Sequence, residues 1–403
     1  MQIRPGVPVL CRGADEVQLG TDPRWAVRLD GLTPADVDLL LGLRDEAAVP
    51  VEVRAERAGV PVDRAAELSA ALSTAGMLVE TTATRQSAIA PALSGDVAVS
   101  TLLSMEGDGR ATVRARAQRS VGVVGLDRIG LTVAATLAGS GVGTVLLADP
   151  APVTRQDAGA AGYRTSDVGS PRLSAAARVL HDVAPTVHTD RASDRPPDVV
   201  VLVHRGAADS AAGVALVSAD LPHLSVVSRE ADAFVGPFVR PGASVCLRCL
   251  DLHRRDLDPA WPLLVPQLLP PDAGPPPRWS QLTGTRHPGR RPAHRAGIPA
   301  ALAGVCGALA AAQVLAHLDG AIPGATDAAY EISAPDVTPR RRAWQVHPEC
   351  GCTRLPPSGA RGGRAPDGGR GAGRSAAAGS SGTAGGRATA VARRQVTDRR
   401  NGR

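Results

Sequence analysis

The N-terminal part of the chain switches between two hydrophobic periods. Val17–Leu19 and Trp25–Leu29 alternate apolar and polar positions, and each predicts a short strand. Thr33-Pro34 predicts a helix start. The hydroxyl can accept from the first free N–H groups, and proline already has the shape of the first turn. Val37, Leu40 and Leu41 give that helix an apolar face. A weaker helical pattern covers Val51–Ala58. A stronger one covers Val62–Thr74, where Ala65, Leu68 and Leu72 share a face. Gly76 predicts its stop, and Met77-Leu78-Val79 the strand that follows. Two strands, three helices and a strand resemble a winged-helix unit, assigned to residues 1–92.

Residues 93–118 are poorer in pattern and read as a linker. From 119 to 352, strands alternate with helices, which predicts an α/β domain with a parallel sheet and helical crossovers. The Pro/Arg-rich stretch 262–298 reads as a long loop inside it. Ile298 to Leu318 is the longest apolar run. It is rich in Ala and Gly and carries Gln313 and His317, so it reads as a buried helix and not a membrane span. Residues 353–403 contain RGGRAPDGGRGAGR and no aromatics, and read as a disordered tail. No internal repeat is visible.

Composition sharpens this picture in two places. The chain has 403 residues, 43% apolar and 21% charged, enough for two to three domains with a real core. Aromatics are 2%, so Ala, Val and Leu must build that core. All 45 basic residues are arginine. The absence of lysine excludes a Schiff-base mechanism and the lysine of a P-loop. The net charge of +6 at first suggests a nucleic-acid binder. Residues 353–403, however, hold eleven Arg and two Asp, a surplus of nine, which leaves residues 1–352 at −3. The basic character belongs to the tail. Any nucleic-acid contact would be confined to it, and it lacks the aromatics that stack bases.

The start of the chain, MQIRPGVPVLCRGADE, lacks the apolar run of a signal peptide, so a cytoplasmic location is expected. Six cysteines in that compartment point to metal ligands or core residues before disulfides. Cys246-Leu-Arg-Cys249 and Cys350-Gly-Cys352 form two pairs about a hundred residues apart. Two such pairs complete a closed tetrahedral S₄ site, so a structural zinc on Cys246, Cys249, Cys350 and Cys352 is expected. His347 lies close enough to replace one sulfur, and a redox CxxC is the alternative reading. Cys306 sits in the Ala-rich helix and reads as a small buried residue. Cys11 carries no signal.

Val121–Val124 predicts a strand running into GLDRIG, from Gly125 to Gly130. An Ala/Leu-rich helix and a second strand follow, Thr144–Leu147, ending at Asp149. This βαβ unit puts an acid 24 residues after the first glycine, where a nucleotide-binding fold places its ribose-binding carboxylate. The segments AGSGVGTVLLADPAPV, SDVGSPRLSAAARVL and GPFVRPGASVCLRCL resemble stretches of the ThiF/MoeB-like family, the E1-like adenylyltransferases. The resemblance covers residues 119–352. It is closest to a divergent branch found beside azoline-forming cyclodehydratases, whose members bind a leader peptide through an N-terminal winged-helix clasp.

The resemblance implies a Rossmann-like ThiF-type domain with a zinc knuckle, and ATP with Mg²⁺ as family cofactors. It implies nucleotide contacts at Gly125, Gly130, Asp149 and Arg172, the last where the family has a lysine, and a homodimer through the sheet domain. Several positions depart from the pattern. The middle glycine of GxGxxG is Asp127, a carboxylate where the family brings phosphate. The family's magnesium-holding DxTDN reads Val201-Leu202-Val203-His204-Arg205. ATP and Mg²⁺ are therefore doubtful here, and no catalytic residue is assigned. The expected function is a non-catalytic or weakly nucleotide-binding component that binds a peptide or partner in a peptide-modification pathway. The alternative is an active adenylyltransferase acting on a C-terminal carboxylate. A dinucleotide-dependent oxidoreductase also needs the missing glycine and shows no hydride-transfer site. His204-Arg205 could line a pocket at the strand end, or His204 could be simply packed. For residues 1–92, Arg54, Arg57 and Arg64 could serve DNA, but the interspersed acids disfavour it. An extended peptide on a strand edge leads, with pure packing against the sheet domain as the other possibility.

Overall fold

The structure is a computed structural model and describes residues 1–45, 49–79, 89–104, 107–159, 162–190, 196–269 and 297–354. The chain divides into two compact units, Met1–Val113 and Arg114 onwards.

In the first unit, β1 (Gln2–Ile3) pairs antiparallel with β5 (Leu78–Val79). Strands β2 (Val9–Cys11), β3 (Val17–Leu19) and β4 (Val27–Leu29) form an antiparallel sheet in that order. Helices α1 (Pro34–Asp45), α2 (Val51–Ala58) and α3 (Val62–Thr74) have the starts that the sequence predicts. The reason is visible at α1. Thr33 Oγ1 accepts from the Asp36 N–H at 3.2 Å, and the Asp36 carboxylate accepts from the Thr33 N–H at 2.9 Å. The two residues close a reciprocal capping box. Val17, Leu19, Val27 and Leu29 meet Leu39, Leu40, Leu43, Leu68 and Leu72 in one core. Strands β1 and β2 were not foreseen; Val9-Leu10-Cys11 is apolar throughout and shows no alternation.

The stretch 93–118, read as a linker, contains regular structure. It holds α4 (Ser94–Leu103) and α5 (Gly109–Arg116). Arg4 explains why α4 belongs with the first unit. Its guanidinium donates to the carbonyls of Thr101, Leu102 and Ser104 at 3.0, 3.1 and 2.5 Å, satisfying the end of the helix.

The second unit is built on a seven-stranded sheet in the order β12-β11-β10-β9-β8-β6-β7. Strands β6 (Ser120–Val124), β7 (Thr144–Ala148), β8 (Val199–Arg205) and β9 (His223–Ser228) run parallel. Strands β10 (Asp232–Val239), β11 (Ala328–Ser333) and β12 (Pro339–Ala343) add antiparallel. The expected parallel sheet is present in β6, β7, β8 and β9, and three antiparallel strands extend it. Only residues 229–231 separate β9 from β10, too few for a crossover helix, so the chain must turn back. Arg229 grips Asp232 across that turn at 2.8 and 2.5 Å.

Helices α6 (Arg128–Gly139), α7 (Arg172–Val183) and α11 (Ala300–Leu318) contribute to one core, while α8 (Ser210–Ser218) and α9 (Leu247–Leu257) cover the opposite face. Along β8, Val199, Val201 and Val203 enter the first core, and Val200 and Leu202 the second. The predicted loop 262–298 opens with a helix, α10 (Trp261–Leu268), and 270–296 lie outside the described residues. The tail, from 355 onwards, lies outside them as well. The helix α11 is long and apolar enough to cross a membrane by length and composition. Here Leu302, Ala303, Cys306, Ala310, Ala311 and Val314 are buried in the core, and Gln313 accepts from the Ala325 N–H at 2.8 Å.

Candidate functional site

The parallel strands β6, β7 and β8 end at one edge, and the predicted nucleotide residues collect there. Gly125 follows β6 at φ +88°, where an L side chain is strained, and a Cβ there would stand 2.3 Å from the Val203 carbonyl oxygen. At Gly130 a Cβ would stand 1.9 Å from the Gly125 oxygen. These two glycines therefore let the first turn of α6 lie directly on the strand ends, as a phosphate-binding turn requires.

The donors of that turn are already engaged. Asp127 is the N-cap of α6, and its Oδ1 accepts from the N–H groups of Ile129 at 2.9 Å and Gly130 at 3.3 Å. Arg205 Nε, at the end of β8, lies 3.5 Å from the other oxygen. Burial pushes the Asp127 carboxyl above its ordinary range, while Arg205 and the two N–H donors pull it back. A helix N-terminus attracts anions, and here the anion is the protein's own.

Asp149 is likewise occupied. One oxygen accepts from the Leu126 N–H at 2.7 Å and from Arg172 at 2.9 Å, and the other accepts from the Ala151 N–H at 2.8 Å. Arg172, the first residue of α7, also donates to Asp157 at 2.7 Å. Burial works against the Arg172 charge, and the two carboxylates more than restore it, so it is held cationic. Tyr163 closes the network with a 2.9 Å bond to the Leu126 carbonyl. The amide donors thus hold Asp127, Asp149 holds Arg172, and Val201–Arg205 offers no carboxylate for Mg²⁺.

Sequence reasoning missed Asp157, Tyr163 and Arg128. Arg128 donates to the carbonyls of Ile298 at 3.1 Å and Ala158 at 2.5 Å, tying the lead into α11 to the loop after β7. The only signal was its place within GLDRIG. His204 Nδ1 is buried without a partner, and burial pushes the ring's pKa down, with Asp209 pulling the other way. Cys306 is fully buried among the core residues of α11, and burial pushes its thiol up to about 12.

The four predicted metal ligands come together. Cys246 is the N-cap of α9 and Cys249 lies in its first turn, while Cys350 and Cys352 arrive after β12. The sulfur of Cys246 lies 3.8 Å from that of Cys249 and 3.6 Å from that of Cys350, and Cys249 lies 3.6 Å from Cys352. All four lie within 4.8 Å of one another, and all are buried. A tetrahedron with metal–sulfur bonds of about 2.3 Å needs edges of about 3.8 Å, so the set could hold a metal ion. Hydrogen bonding from Cys246 draws the Cys249 thiol down from its ordinary range. His347 does not join the sulfurs. Its Nε2 lies 2.8 Å from Asp256, and its Nδ1 accepts from the Glu349 N–H at 3.2 Å.

A search among curated proteins finds no match. Solved structures do match over nearly the whole chain. A crystal structure of E. coli MccB with ATP aligns with a TM-score of 0.60 at 15% identity, covering 87% of this chain and 98% of that one. The microcin C7 biosynthetic enzyme MccB in complex with N-formylated MccA aligns at 0.59 and 15%, covering 87% and 99%. PaaA aligns at 0.59 and 15%, covering 84% and 98%. At such identities the likeness is one of fold. The sequence model of the ThiF family matches residues 103–353, more than half of the chain, and together with the sheet and its glycine turn this places the protein in the ThiF family.

Proposed function

We propose that this ThiF-family chain serves a peptide-modification pathway by binding a peptide or protein partner, and that it does not adenylate. The observation that carries the second half is Asp127, whose carboxylate fills the amide cradle at the start of α6. Adenylation depends on neutralising triphosphate charge, and an internal anion at that spot works against it. Residues 1–92 are the partner-binding part. Strands β2 and β4 are the outer strands of their sheet, so each has an edge unpaired by any other strand among the described residues. An extended peptide can add there by β-augmentation. Leu10, 39% exposed on β2, offers it an apolar contact. MccB, similar in fold, has been solved with MccA. The ion on Cys246, Cys249, Cys350 and Cys352 is a structural zinc, since a site of four thiolates is closed to substrate. The working form is a cytoplasmic homodimer through the sheet domain.

Calorimetric titration of the full chain with Mg²⁺–ATP is the test. No heat of binding and no ATP–pyrophosphate exchange are expected. Micromolar binding, or exchange, would establish the alternative, an adenylyltransferase acting on a C-terminal carboxylate. The partner half is tested by pull-down of peptides from lysate on the immobilised full chain. Equal capture by wild type and by Leu10→Glu would rule out the β2 edge.

A further inference from the structure

We propose that a cavity between α9 and the sheet, on the face opposite the nucleotide-site helix α6, is a notch that binds a carboxylate group. It is distinct from the site at Asp127 and from the four cysteines. Three hydrogen-bond donors line it: Ser225, Arg254 and Trp344, between apolar walls that include Phe234 and Leu250.

Each donor lacks a hydrogen-bond acceptor among the described residues. Ser225 is 1% exposed, and its Oγ has no partner. Trp344 Nε1 is sealed from solvent and also has none. Arg254 makes no hydrogen bond among the described residues, and its nearest carboxylate oxygen, on Asp251, is 3.8 Å away. Its side chain is only 24% exposed, and it lies over the Trp261 ring at 5.1 Å. Buried polar groups normally find hydrogen-bond partners, and Arg254 has only its 3.8 Å ion pair with Asp251 and the Trp261 ring.

What is missing is an acceptor. An indole and a guanidinium can only donate, and a serine hydroxyl can turn to do so. The surrounding carboxylates are committed elsewhere. Asp251 accepts from Trp261 at 3.0 Å, Glu331 holds Arg342 at 3.1 Å, and Asp232 holds Arg229 at 2.8 and 2.5 Å. A water could accept from the indole and the guanidinium and donate to the Ser225 hydroxyl, but it carries no charge to set against Arg254. An anionic group would accept from these donors and add a second counter-charge for Arg254 beside Asp251.

Size narrows the class. The enclosed part takes little more than one water-sized group, and the cavity is partly open. One oxygen can enter while the rest of the ligand stays outside. That suits a carboxylate carried on a larger body, either a small organic acid or an acidic residue of a peptide.

The test uses the full chain labelled with ¹⁵N, whose four tryptophans give only four indole signals. Trp344→Phe identifies the relevant one. Titration with sodium acetate, with sodium chloride at the same ionic strength as reference, should move the Trp344 signal saturably downfield. Arg254→Met should weaken binding about tenfold or more, and Ser225→Ala about two- to tenfold. N-acetyl-aspartate amide then separates the sources. Tighter binding than acetate points to a peptide, and equal or weaker binding to a small acid. The proposal fails if the signal does not move, if chloride moves it equally, or if both variants bind acetate as well as wild type.

Discussion

Asp127 decides more than any other residue. As an N-cap it satisfies two donors of α6, and on the reading proposed above its carboxylate stands where a phosphate would bind. Its two roles separate by substitution. Asp127→Asn retains a capping oxygen, so chemical denaturation should shift by less than about 1 kcal/mol. Asp127→Gly leaves the amides of Ile129 and Gly130 free, and glycine at an N-cap costs only a few tenths of a kcal/mol, roughly. This variant should bind inorganic pyrophosphate by calorimetry where wild type does not. If both proteins behave alike, the carboxylate does not block the cradle.

His223 is the second residue with a measurable signature. It is fully buried on β9, and its Nδ1 donates to the Leu221 carbonyl at 3.0 Å. That bond leaves Nε2 as a bare acceptor without a partner. Burial pushes its pKa down from 6.5 to about 4. As pH falls, the unfolded chain therefore takes up the proton first. This group's stability is complete above about pH 6.5, is lost between there and about pH 4, and stays flat below. The loss is on the order of 3 kcal/mol. Urea denaturation of wild type and His223→Leu across that range should show the steeper fall in wild type. Parallel curves would contradict it.

At the scale of elements, legibility tracked periodicity. The helices α1, α2 and α3 and strand β3 fall where the pattern put them, because capping residues and a whole turn of apolar spacing are local facts. The antiparallel half of the sheet did not announce itself. Strand β10 is buried along most of its length, like a parallel strand, and only the brevity of its link to β9 marks the turn back. Helix α4 was misread because its fixing contact, Arg4, is about a hundred residues away in sequence. The seating of α6 on the strand ends gives a direct prediction. Gly130→Ala places a methyl 1.9 Å from the Gly125 oxygen, backbone that cannot step aside. The helix must move, at a cost of about 3 kcal/mol or more. A thermal midpoint within error of wild type would show that α6 is not seated this way.

At the scale of the molecule, the four cysteines close a loop of about a hundred residues, joining the start of α9 to the segment after β12. A metal there contributes to folding directly, since the unfolded chain holds no preformed site. Protein purified without chelator should contain close to one equivalent of zinc, and less than half would count heavily against the assignment. Chelation, or Cys350→Ser, should lower the melting temperature by roughly 10 °C, the equivalent of about 4 kcal/mol in a domain of this size.

The sequence by itself determined the α/β class, the βαβ glycine turn, the placing of basic charge in the tail and the two cysteine pairs. Each is carried by residue type at short spacing, or by composition, and needs no knowledge of what lies across the molecule. Only the tertiary structure decided what those residues do together. Arg172 was readable as a substituted lysine, but its bonds to Asp149 and Asp157 depend on α7 folding back beside the end of β7. Asp127 was readable as a departure from a glycine, but whether it pointed at a ligand or capped its own helix depended on backbone direction. The donors around Ser225 come from β9, α9 and the segment after β12, so no window of sequence contains them. A surplus of donors in one buried place is a property of packing, and it becomes visible only when the chain has closed around it.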